Sequence, residues 1–361
     1  MADLRFSFSA GPAALPSPVR ERIREDFAGW DGGRTSILEV SQWNPRLLDT
    51  FAKVETDLRE ILTVPDDYAV LFLHGGASNQ FAMVPMNMLG DGGRADYLHT
   101  GLWSGKAVQE ARRYGQVNVA ASTAGTEFRS VPAQRELALD TTAHYVHYTP
   151  VETAHGVQFD YTPETGDVPL VADATAALLA TPLDIGSHGV VYASTQKNLG
   201  VVGMTVVIVR RDLIGHAAPF TPTTFDYAVH QRTSSRFTTP PVFAWYVTGL
   251  VLDWVRDQGG QPAMIERSRR RAEALYSTID ASAMFTAPVD STSRAWTNVV
   301  FTLSDANLTE IFLKEAEEEG LADLRGHSAV GGIRASLYLG MPEAGAHALG
   351  AFLTDFEARH G

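Results

Sequence analysis

Short apolar runs alternate with longer amphipathic stretches over the first two thirds of the chain. Seven runs have the length and composition of strands: 68–74, 95–99, 117–120, 145–148, 170–173, 190–193 and 205–209. Most of the segments between them are long enough for a helix, and this alternation is typical of a parallel sheet with helices on both faces. The pattern predicts an α/β fold with a mainly parallel sheet.

Helix-start and helix-end signals lie between these runs. Asn44 before Pro45 predicts the start of a helix that runs over 46–62. Ser104 and Gly115 are expected to bracket a further helix.

The pattern changes after the last apolar run. Residues 215–241 are turn-rich and polar and are too long for a simple connection, so we expect a functional loop. Residues 242–256 follow as an apolar helix. The Gly-Gly-Gln-Pro stretch at 259–262 is interpreted as a hinge into a second domain.

Lys197 lies between two runs that are predicted to be buried strands, 190–193 and 205–209. Burial favours the neutral form of an amine, and a neutral amine is a nucleophile suited to Schiff-base chemistry. The chain has only 4 lysines against 25 arginines. Because lysines are rare here, Lys197 is less readily explained as one of many solvated surface lysines. The alternative is a strand-end lysine whose long stem reaches water.

Composition narrows the choice of function. With 361 residues, 45% hydrophobic and 20% charged, the chain is typical of a soluble globular protein of one large and one smaller domain. Its apolar stretches fall short of the roughly 18 residues that a membrane span requires. The net charge of −13 disfavours a nucleic acid or an anionic membrane as partner. Without cysteine, and without signal-peptide features at the N-terminus, we expect a cytoplasmic enzyme that uses neither disulfides nor thiolates.

Three further features are compatible with a flat, phosphorylated cofactor. Asp173 ends a predicted strand, where it could hold a pyridinium nitrogen protonated or merely cap a helix. The small residues 75–78 precede a helical stretch over 79–89 and could cradle a phosphate or form a plain tight turn. Trp103 follows another strand and could stack on a ring or anchor the core.

Eight motifs along the chain occur in the order and spacing of the phosphoserine aminotransferase family. They are Phe8-Ser9-Ala10-Gly11-Pro12-Ala13, His74-Gly75-Gly76, Gly101-Leu102-Trp103, Val151-Glu152-Thr153, Ala172-Asp173, Thr195-Gln196-Lys197-Asn198, Thr239-Pro240-Pro241 and Gly331-Gly332-Ile333-Arg334-Ala335-Ser336. The chain resembles that family, a pyridoxal-phosphate group within the class V aminotransferases, from end to end. The resemblance implies a fold-type I transferase with a large seven-stranded sheet domain at 15–259. A smaller α/β domain would combine 1–14 with 260–361.

The resemblance also implies roles for individual residues around pyridoxal 5'-phosphate. Lys197 would bind the cofactor as a Schiff base and shuttle the proton, and Asp173 would pair with the ring nitrogen. Thr153 would hydrogen-bond the ring hydroxyl oxygen and Trp103 would stack on the ring. The groups expected to hold the phosphate are the amides of Ala77 and Ser78, the Gln196 side chain, and Thr238 and Thr239 of the partner subunit. The last two imply a homodimer with composite active sites.

On the substrate side, Arg334 matches the family's arginine for the α-carboxylate, which a bidentate guanidinium suits. A surface arginine in a Gly-rich turn is the alternative. Ser9 and His327 also fall at substrate-side positions. No metal site is predicted.

The chain departs from the family where the substrate phosphate is held. The family reads His-Arg where this chain has Gln42 and Trp43, and an arginine where it has Ser328. Losing two charge-assisted contacts costs about 3 to 6 kcal/mol, or about two to four decades of affinity. The sequence leaves open whether other arginines rebuild the site. The candidates are Arg34, Arg46 and Arg325.

The expected reaction moves an amino group between an L-amino acid and a 2-oxo acid, with glutamate and 2-oxoglutarate as one pair. Because of the altered positions, we expect the second substrate to be unphosphorylated or otherwise changed. Phosphoserine and 3-phosphohydroxypyruvate remain the alternative. A cofactor-free Schiff-base aldolase would use Lys197 but leave Asp173, Trp103 and Thr153 without roles. The presence of both Lys197 and Asp173 argues against a non-enzymatic binding protein. Cysteine desulfurases, a related class V branch, are excluded because the chain has no cysteine.

Overall fold

A computed structural model describes residues 6–90 and 92–361, with only the backbone of Asp31. The strands are β1 (Phe6–Ser7), β2 (Tyr68–His74), β3 (Arg94–His99), β4 (Gln116–Ser122), β5 (Val146–Tyr148), β6 (Val151–Glu152), β7 (Val157–Gln158), β8 (Leu170–Asp173), β9 (Val190–Ser194), β10 (Met204–Arg210), β11 (Phe285–Thr286), β12 (Asn298–Leu303), β13 (Leu321–Ala322) and β14 (Ile333–Ser336). The helices are α1 (Ser17–Ala28), α2 (Pro45–Leu62), α3 (Ala77–Met88), α4 (Leu102–Ala111), α5 (Tyr227–Arg232), α6 (Val242–Asp257), α7 (Gly260–Ala281), α8 (Thr309–Glu318) and α9 (Glu343–His360).

The large sheet has seven strands in the order β2-β10-β9-β8-β5-β3-β4. All of its neighbouring pairs are parallel except those of β10, which runs antiparallel to both β2 and β9. The seven apolar runs of the sequence all lie in this sheet, so the mainly parallel α/β prediction is confirmed. Strands β8 and β9 are buried along their whole length, as strands covered on both faces must be.

Helices cover both faces of the sheet. On one face α2 and α6 pack together, and the ring of Trp245 stacks between those of Phe51 and Phe72, with centroid distances of 4.3 and 4.2 Å. On the other face α3 and α4 contribute Phe81 and Val108 to a second apolar cluster. This packing on both faces holds the sheet in place, and with it the side chains at the ends of its strands.

Of the two helices predicted from start and end signals, one agrees with the structure and one has different bounds. The α2 prediction is confirmed, because the Asn44 side chain accepts hydrogen bonds from the amides of Arg46 and Leu47. The helix expected between Ser104 and Gly115 instead begins at Leu102 and ends at Ala111. Ser104 lies in its first turn, where the hydroxyl accepts from the Gly101 amide at 3.1 Å. The serine caps the helix from inside rather than preceding it.

The predicted hinge at 259–262 is shorter than expected. Gly259 adopts a left-handed φ of 100° and caps α7, and Gly260 is already the first residue of that helix. Gln261 and Pro262 therefore lie in the first turn of α7, where proline is tolerated because its missing amide has no helical partner. Only two residues separate α6 from α7.

The C-terminal third forms a smaller layer of its own. Strands β11, β12 and β14 pair antiparallel, and their apolar side chains share a cluster with α7 and α9. The N-terminal segment joins this layer, since β1 pairs parallel with β13 and Phe8 is fully buried in the same cluster. This pairing is compatible with the predicted domain division at 14/15 and 259/260, which stays a prediction. Across the described ranges, none of the helices is both long and apolar enough to span a bilayer.

Gly340 marks a close approach between the N-terminal segment and the chain before α9. A Cβ placed on Gly340 would lie 1.9 Å from the carbonyl oxygen of Ala14. We therefore expect Gly340→Ala to push the two segments apart and to lower the free energy of unfolding by about 1 to 3 kcal/mol. Denaturant unfolding followed by circular dichroism measures the change.

The matched control is Gly125→Ala, because a Cβ on Gly125 would have nothing within 4 Å. Its effect should stay within about 0.5 kcal/mol. Equal stability of the two variants would show that the Gly340 contact is not tight in solution.

Candidate active site

The candidate site lies at the carboxyl ends of β8 and β9. Asp173 is the last residue of β8 and pairs in register with Tyr192 of β9. Lys197 follows three residues after the end of β9, in the connection to β10. Because parallel strands end at one edge of the sheet, the two side chains reach the same crevice.

The Asp173 carboxylate is almost fully enclosed, at 5% exposure. Its Oδ1 accepts hydrogen bonds from the Thr175 amide at 3.1 Å and the Thr175 hydroxyl at 2.6 Å. Burial raises the pKa of Asp173, while the bonds from Thr175 and the charge of Lys197 act in the opposite direction. A second cation opposite this carboxylate would stabilise its charged form.

The Lys197 amine lies between two aromatic rings. Its Nζ is 5.9 Å from the centroid of the Trp103 ring and 5.7 Å from that of Tyr338. The next residue, Asn198, is buried, and its side chain donates to the carbonyls of Ala176 and Leu178 at 2.9 and 3.0 Å. These bonds fix the backbone that carries the lysine.

A buried glutamate, Glu152, positions the Trp103 ring. Its carboxylate accepts from the amides of Trp103 and Ser104 at 3.0 and 2.7 Å and from the Ser104 hydroxyl at 2.6 Å. Burial raises the pKa of Glu152 and the bonds from Ser104 oppose this. The indole Nε1–H donates to the Thr153 hydroxyl at 2.9 Å. Trp103 is thus held at both its backbone and its ring.

Sequence reasoning gave Glu152 no role, although the residue stood in one of the motifs. The signal in the sequence was Gly101, a glycine directly before the start of a helix. In the structure, a Cβ at this position would come within 2.5 Å of the Glu152 carboxyl carbon. A glycine just before a helix start, together with an acidic residue that follows a different strand, is compatible with a carboxylate that caps the helix.

The N-terminus of α3 offers a cradle for a phosphate. Gly75 has a left-handed φ of 91°, and Gly76 at the cap leaves the helix without any side-chain cap bond. The amides of Ala77 and Ser78 therefore lie in an uncapped first turn. The buried Ser194 hydroxyl has no hydrogen-bond partner within the described part of the chain, and it lies 3.9 Å from where a Cβ on Gly76 would be. Such an orphaned hydroxyl beside free helical amides fits a phosphate ester.

The Gln196 side chain faces the N-terminal segment. A Cβ on Gly11 would lie 3.6 Å from Gln196 Nε2, and the Gln196 carbonyl accepts from the Ala13 amide at 2.9 Å. Ser9 lies on the same segment, partly buried, and its hydroxyl accepts from the Gly11 amide at 3.4 Å. The connection that bears Lys197 is thus packed against the segment that bears Ser9.

Arg334 on β14 is nearly buried, at 9% exposure. Its Nη1 donates to the Thr153 carbonyl at 3.3 Å, and burial lowers the pKa of Arg334 against the influence of Tyr338. Among the residues that the structure describes, no carboxylate forms an ion pair with it. The guanidinium is therefore available to a carboxylate that enters the crevice.

Lys106 is a residue that sequence reasoning missed. Its Nζ lies 4.8 Å from the centroid of the Trp103 ring, and His327 meets the same ring edge-on at 6.2 Å. Burial lowers the pKa of His327, and the charges of Arg334 and Lys106 add to the effect. Lys106 and His327 therefore both contact Trp103, and Arg334 is close enough to His327 to influence its pKa. The available signal was helical spacing, because residues three apart on α4 share a face.

The tautomer of His327 follows from its own hydrogen bond. The Ala329 amide donates to Nδ1 at 3.1 Å, so Nδ1 is the acceptor nitrogen. With its pKa lowered, the ring is neutral at pH 7 and carries its proton on Nε2. His327 therefore presents an N–H donor.

The remaining predicted residues lie in a separate, exposed group. The Gln42 side chain donates to the Thr239 hydroxyl at 3.3 Å, and Thr238 and Thr239 are both exposed. Trp43 is 66% exposed, with the Arg236 guanidinium 5.9 Å from its ring centroid. Across residues 6–90 and 92–361, no hydrogen bond or ring contact joins this group to Lys197.

The other positions at the altered phosphate clamp are also exposed. Ser328 and Arg34 face solvent. Arg325 forms a bidentate ion pair with Glu310, at 2.6 and 2.8 Å. This arginine would have to break that pair before it could compensate for the missing ones.

Comparison with known proteins identifies the family. The model of the class-V aminotransferase family matches residues 5–349. A phosphoserine aminotransferase of Azotobacter vinelandii is 46% identical over 361 residues, which is all of both chains. The solved phosphoserine aminotransferase of Bacillus circulans subsp. alkalophilus has a TM-score of 0.96 at 39% identity and covers 98% of each chain. The pyridoxal-phosphate-bound enzyme of Trichomonas vaginalis has a TM-score of 0.91 at 32% identity, over 96% of this chain and 99% of that one. This chain therefore belongs to the phosphoserine aminotransferase family of class-V aminotransferases and is a fold-type I, pyridoxal-phosphate-dependent transaminase.

Proposed function

We propose that this aminotransferase exchanges an amino group between the glutamate/2-oxoglutarate pair and the phosphoserine/3-phosphohydroxypyruvate pair. Full-length similarity to enzymes named phosphoserine aminotransferase supports the choice of substrate. The observation that carries it within this chain is that Lys106 and His327 contact the Trp103 ring and that Arg334 lies close enough to influence the pKa of His327. These basic side chains suit a substrate with two anionic ends.

Each residue proposed to bind the cofactor would contact a different part of it. Pyridoxal phosphate supplies an electron sink for breaking a bond at the substrate Cα. Asp173, enclosed and without a second cation, would pair with the ring nitrogen, and Thr153 would meet the ring oxygen. The amides of Ala77 and Ser78 would hold the phosphate, with the Ser194 hydroxyl beside them.

Lys197 is proposed to carry the cofactor and to move the proton at the substrate Cα. Its amine lies 5.9 and 5.7 Å from the ring centroids of Trp103 and Tyr338, which restrict its path. The charge of Lys197 in turn helps to hold down the pKa of the neighbouring Asp173 carboxyl, which burial raises. A positioned base of this kind contributes about 100- to 10,000-fold to proton transfer.

Arg334 is proposed to bind the α-carboxylate of the substrate. The guanidinium is nearly buried, and among the described residues its one hydrogen bond goes to a backbone carbonyl, so a planar carboxylate would satisfy its remaining donors. This contact would fix the carboxylate end of the substrate. The group at the other end would then be recognised by Lys106 and His327.

Lys106 and His327 are proposed to receive the distal phosphate. Lys106 supplies a full charge close to the Trp103 ring, and His327 offers its Nε2–H. Together they replace part of the clamp that is lost at Trp43 and Ser328. Arg325 is not needed in this arrangement, because Glu310 already holds it.

A second candidate is transamination of an unphosphorylated amino acid. It is favoured by Gln42 and Trp43, which stand where the family has a histidine and an arginine. An under-compensated phosphate dianion costs more to desolvate than an uncharged side chain does. The two candidates differ in whether Lys106 and His327 can compensate the charge of the substrate phosphate without the missing family residues.

We also propose that the enzyme is a homodimer with composite active sites. Large apolar side chains are exposed around the Gln42–Thr239 contact: Leu38 at 63%, Trp43 at 66% and Phe237 at 42%. An exposed apolar patch of this kind marks an interaction surface. The loop over 236–239 would then carry Thr238 and Thr239 to the phosphate of the neighbouring subunit.

The substrate prediction is tested by kcat/KM for phosphoserine against a panel of amino donors. We expect phosphoserine to rank first, and Lys106→Met to lower its kcat/KM by about 10- to 100-fold through loss of a charge-assisted contact. The value for a donor with an uncharged side chain, such as alanine, should not change. Lys314→Met, on the exposed surface of α8, is the matched control.

Two outcomes would contradict this account in different ways. An unphosphorylated donor in first place would establish the second candidate. An equal loss with every donor in Lys106→Met would show that Lys106 supports the Trp103 ring rather than the substrate.

The dimer prediction couples assembly to cofactor retention. Phe237→Asp places a charge in the proposed interface, so it should shift the enzyme towards monomers and speed the loss of pyridoxal phosphate together. Sedimentation velocity and the visible absorbance of the dialysed protein measure the two quantities. Phe220→Asp, at a side chain that is 57% exposed elsewhere, is the control. A monomer that retains the cofactor as tightly as the dimer would rule out composite sites.

A further inference from the structure

A cleft of about 740 Å³ lies where the N-terminal segment, α7 and the chain before α9 meet. None of Lys197, Asp173, Trp103 or Arg334 lines it, so it is distinct from the transamination site. Its charged lining residues among those that the structure describes are Arg20, Arg267, Arg270, Arg271 and Glu343. The transamination reaction gives this cleft no role.

The charges in the cleft are unbalanced. Among the lining residues that the structure describes, four guanidinium groups face one carboxylate, although the chain as a whole has a net charge of −13. Glu343 pairs with Arg270 at 2.7 Å, and this arginine lowers the pKa of Glu343 with help from its neighbours. Arg267 donates to the neutral Gln258 at 2.8 Å, and Arg20 to Ser17 at 2.9 Å. The excess of three positive charges attracts anions.

Arg271 is the buried member of this group, at 3% exposure. Its Nη1 donates to the carbonyls of Tyr338 and Met341, and its Nη2 donates to Ser268 at 3.3 Å. Its Nε has no hydrogen-bond partner among the described residues. Burial lowers the pKa of Arg271 to about 10. A buried guanidinium with a free donor and no carboxylate of its own is costly, and an anion in the cleft would offset that cost.

We propose that this cleft binds a small organic anion with at least two negative charges, of the polycarboxylate or phosphate-ester class. Its volume lies within the range of small-molecule sites. Trp254 and Pro342 provide apolar wall, which an organic anion contacts and an inorganic one does not. The arginine forks match planar carboxylates and phosphate oxygens alike.

The position of the cleft gives the bound anion a structural effect. Arg271 holds the carbonyls of Tyr338 and Met341, and the Leu339 amide donates to Asn198 at 3.3 Å. A ligand on these arginines would brace the segment that presents the Tyr338 ring to Lys197. Binding should therefore raise the melting temperature of the holoenzyme, and the rise should continue with the logarithm of the ligand concentration above the dissociation constant.

The test is isothermal titration of the holoenzyme with citrate and with glycerol 3-phosphate, at ionic strength held constant with chloride. Arg267→Gln and Arg20→Gln should each weaken binding by about tenfold or more. Glu343→Gln removes the competing carboxylate and frees Arg270, so it should tighten binding. Both directions are measured without any assay of turnover, and neither depends on which amino acid the enzyme uses.

Arg113→Gln is the matched control, because Arg113 is an exposed arginine outside the cleft. Lys106→Met separates the cleft from the transamination crevice. The better of the two probes identifies the class of anion. Unchanged affinity in Arg267→Gln, or affinity lost in Lys106→Met instead, would overturn the proposal. So would binding that is equal in all variants and follows ionic strength alone.

Discussion

The buried carboxylate of Asp173 is the constraint on which the active site depends. Parallel pairing of β8 with β9 brings it to the edge of the sheet where Lys197 emerges. Burial works against its charge, and Thr175 and Lys197 only partly compensate. Under the proposed function, a protonated pyridine nitrogen would supply the cation that this enclosed carboxylate lacks, and the carboxylate would be in place before the cofactor binds.

A second buried carboxylate organises the other side of the crevice. Glu152 caps α4 and holds Trp103, which lies near Lys197, Lys106 and His327. Under the proposed function, the cofactor and the distal group of the substrate would both lie against the Trp103 ring. Lys106 and His327, which are proposed to bind the distal group, contact this ring and have no hydrogen bond to Asp173 among the described residues. A change at Lys106 or His327 would then alter the choice of substrate without disturbing Asp173.

The architecture was largely predictable from the sequence, because a doubly covered parallel sheet requires continuous apolar runs, and all seven were visible. What the sequence did not reveal depends on long-range contacts. Glu152 and Ser104 are 48 positions apart, and Gln42 and Thr239 are 197 apart, so no local pattern predicts that they meet. Lys106 was missed because its importance depends on which face of α4 turns inward. The roles assigned to the cofactor residues stay predictions, since contacts within the protein do not report on catalysis.

The most direct measurement of the central claim is a single turnover of the cofactor-loaded enzyme with glutamate, followed by visible absorbance in a stopped-flow instrument. Asp173→Asn keeps the shape of the side chain and removes its charge. The account predicts that amino transfer slows by about 100-fold or more in this variant. Cofactor content and melting temperature should stay near those of the wild type. A single-turnover rate equal to that of the wild type would contradict it.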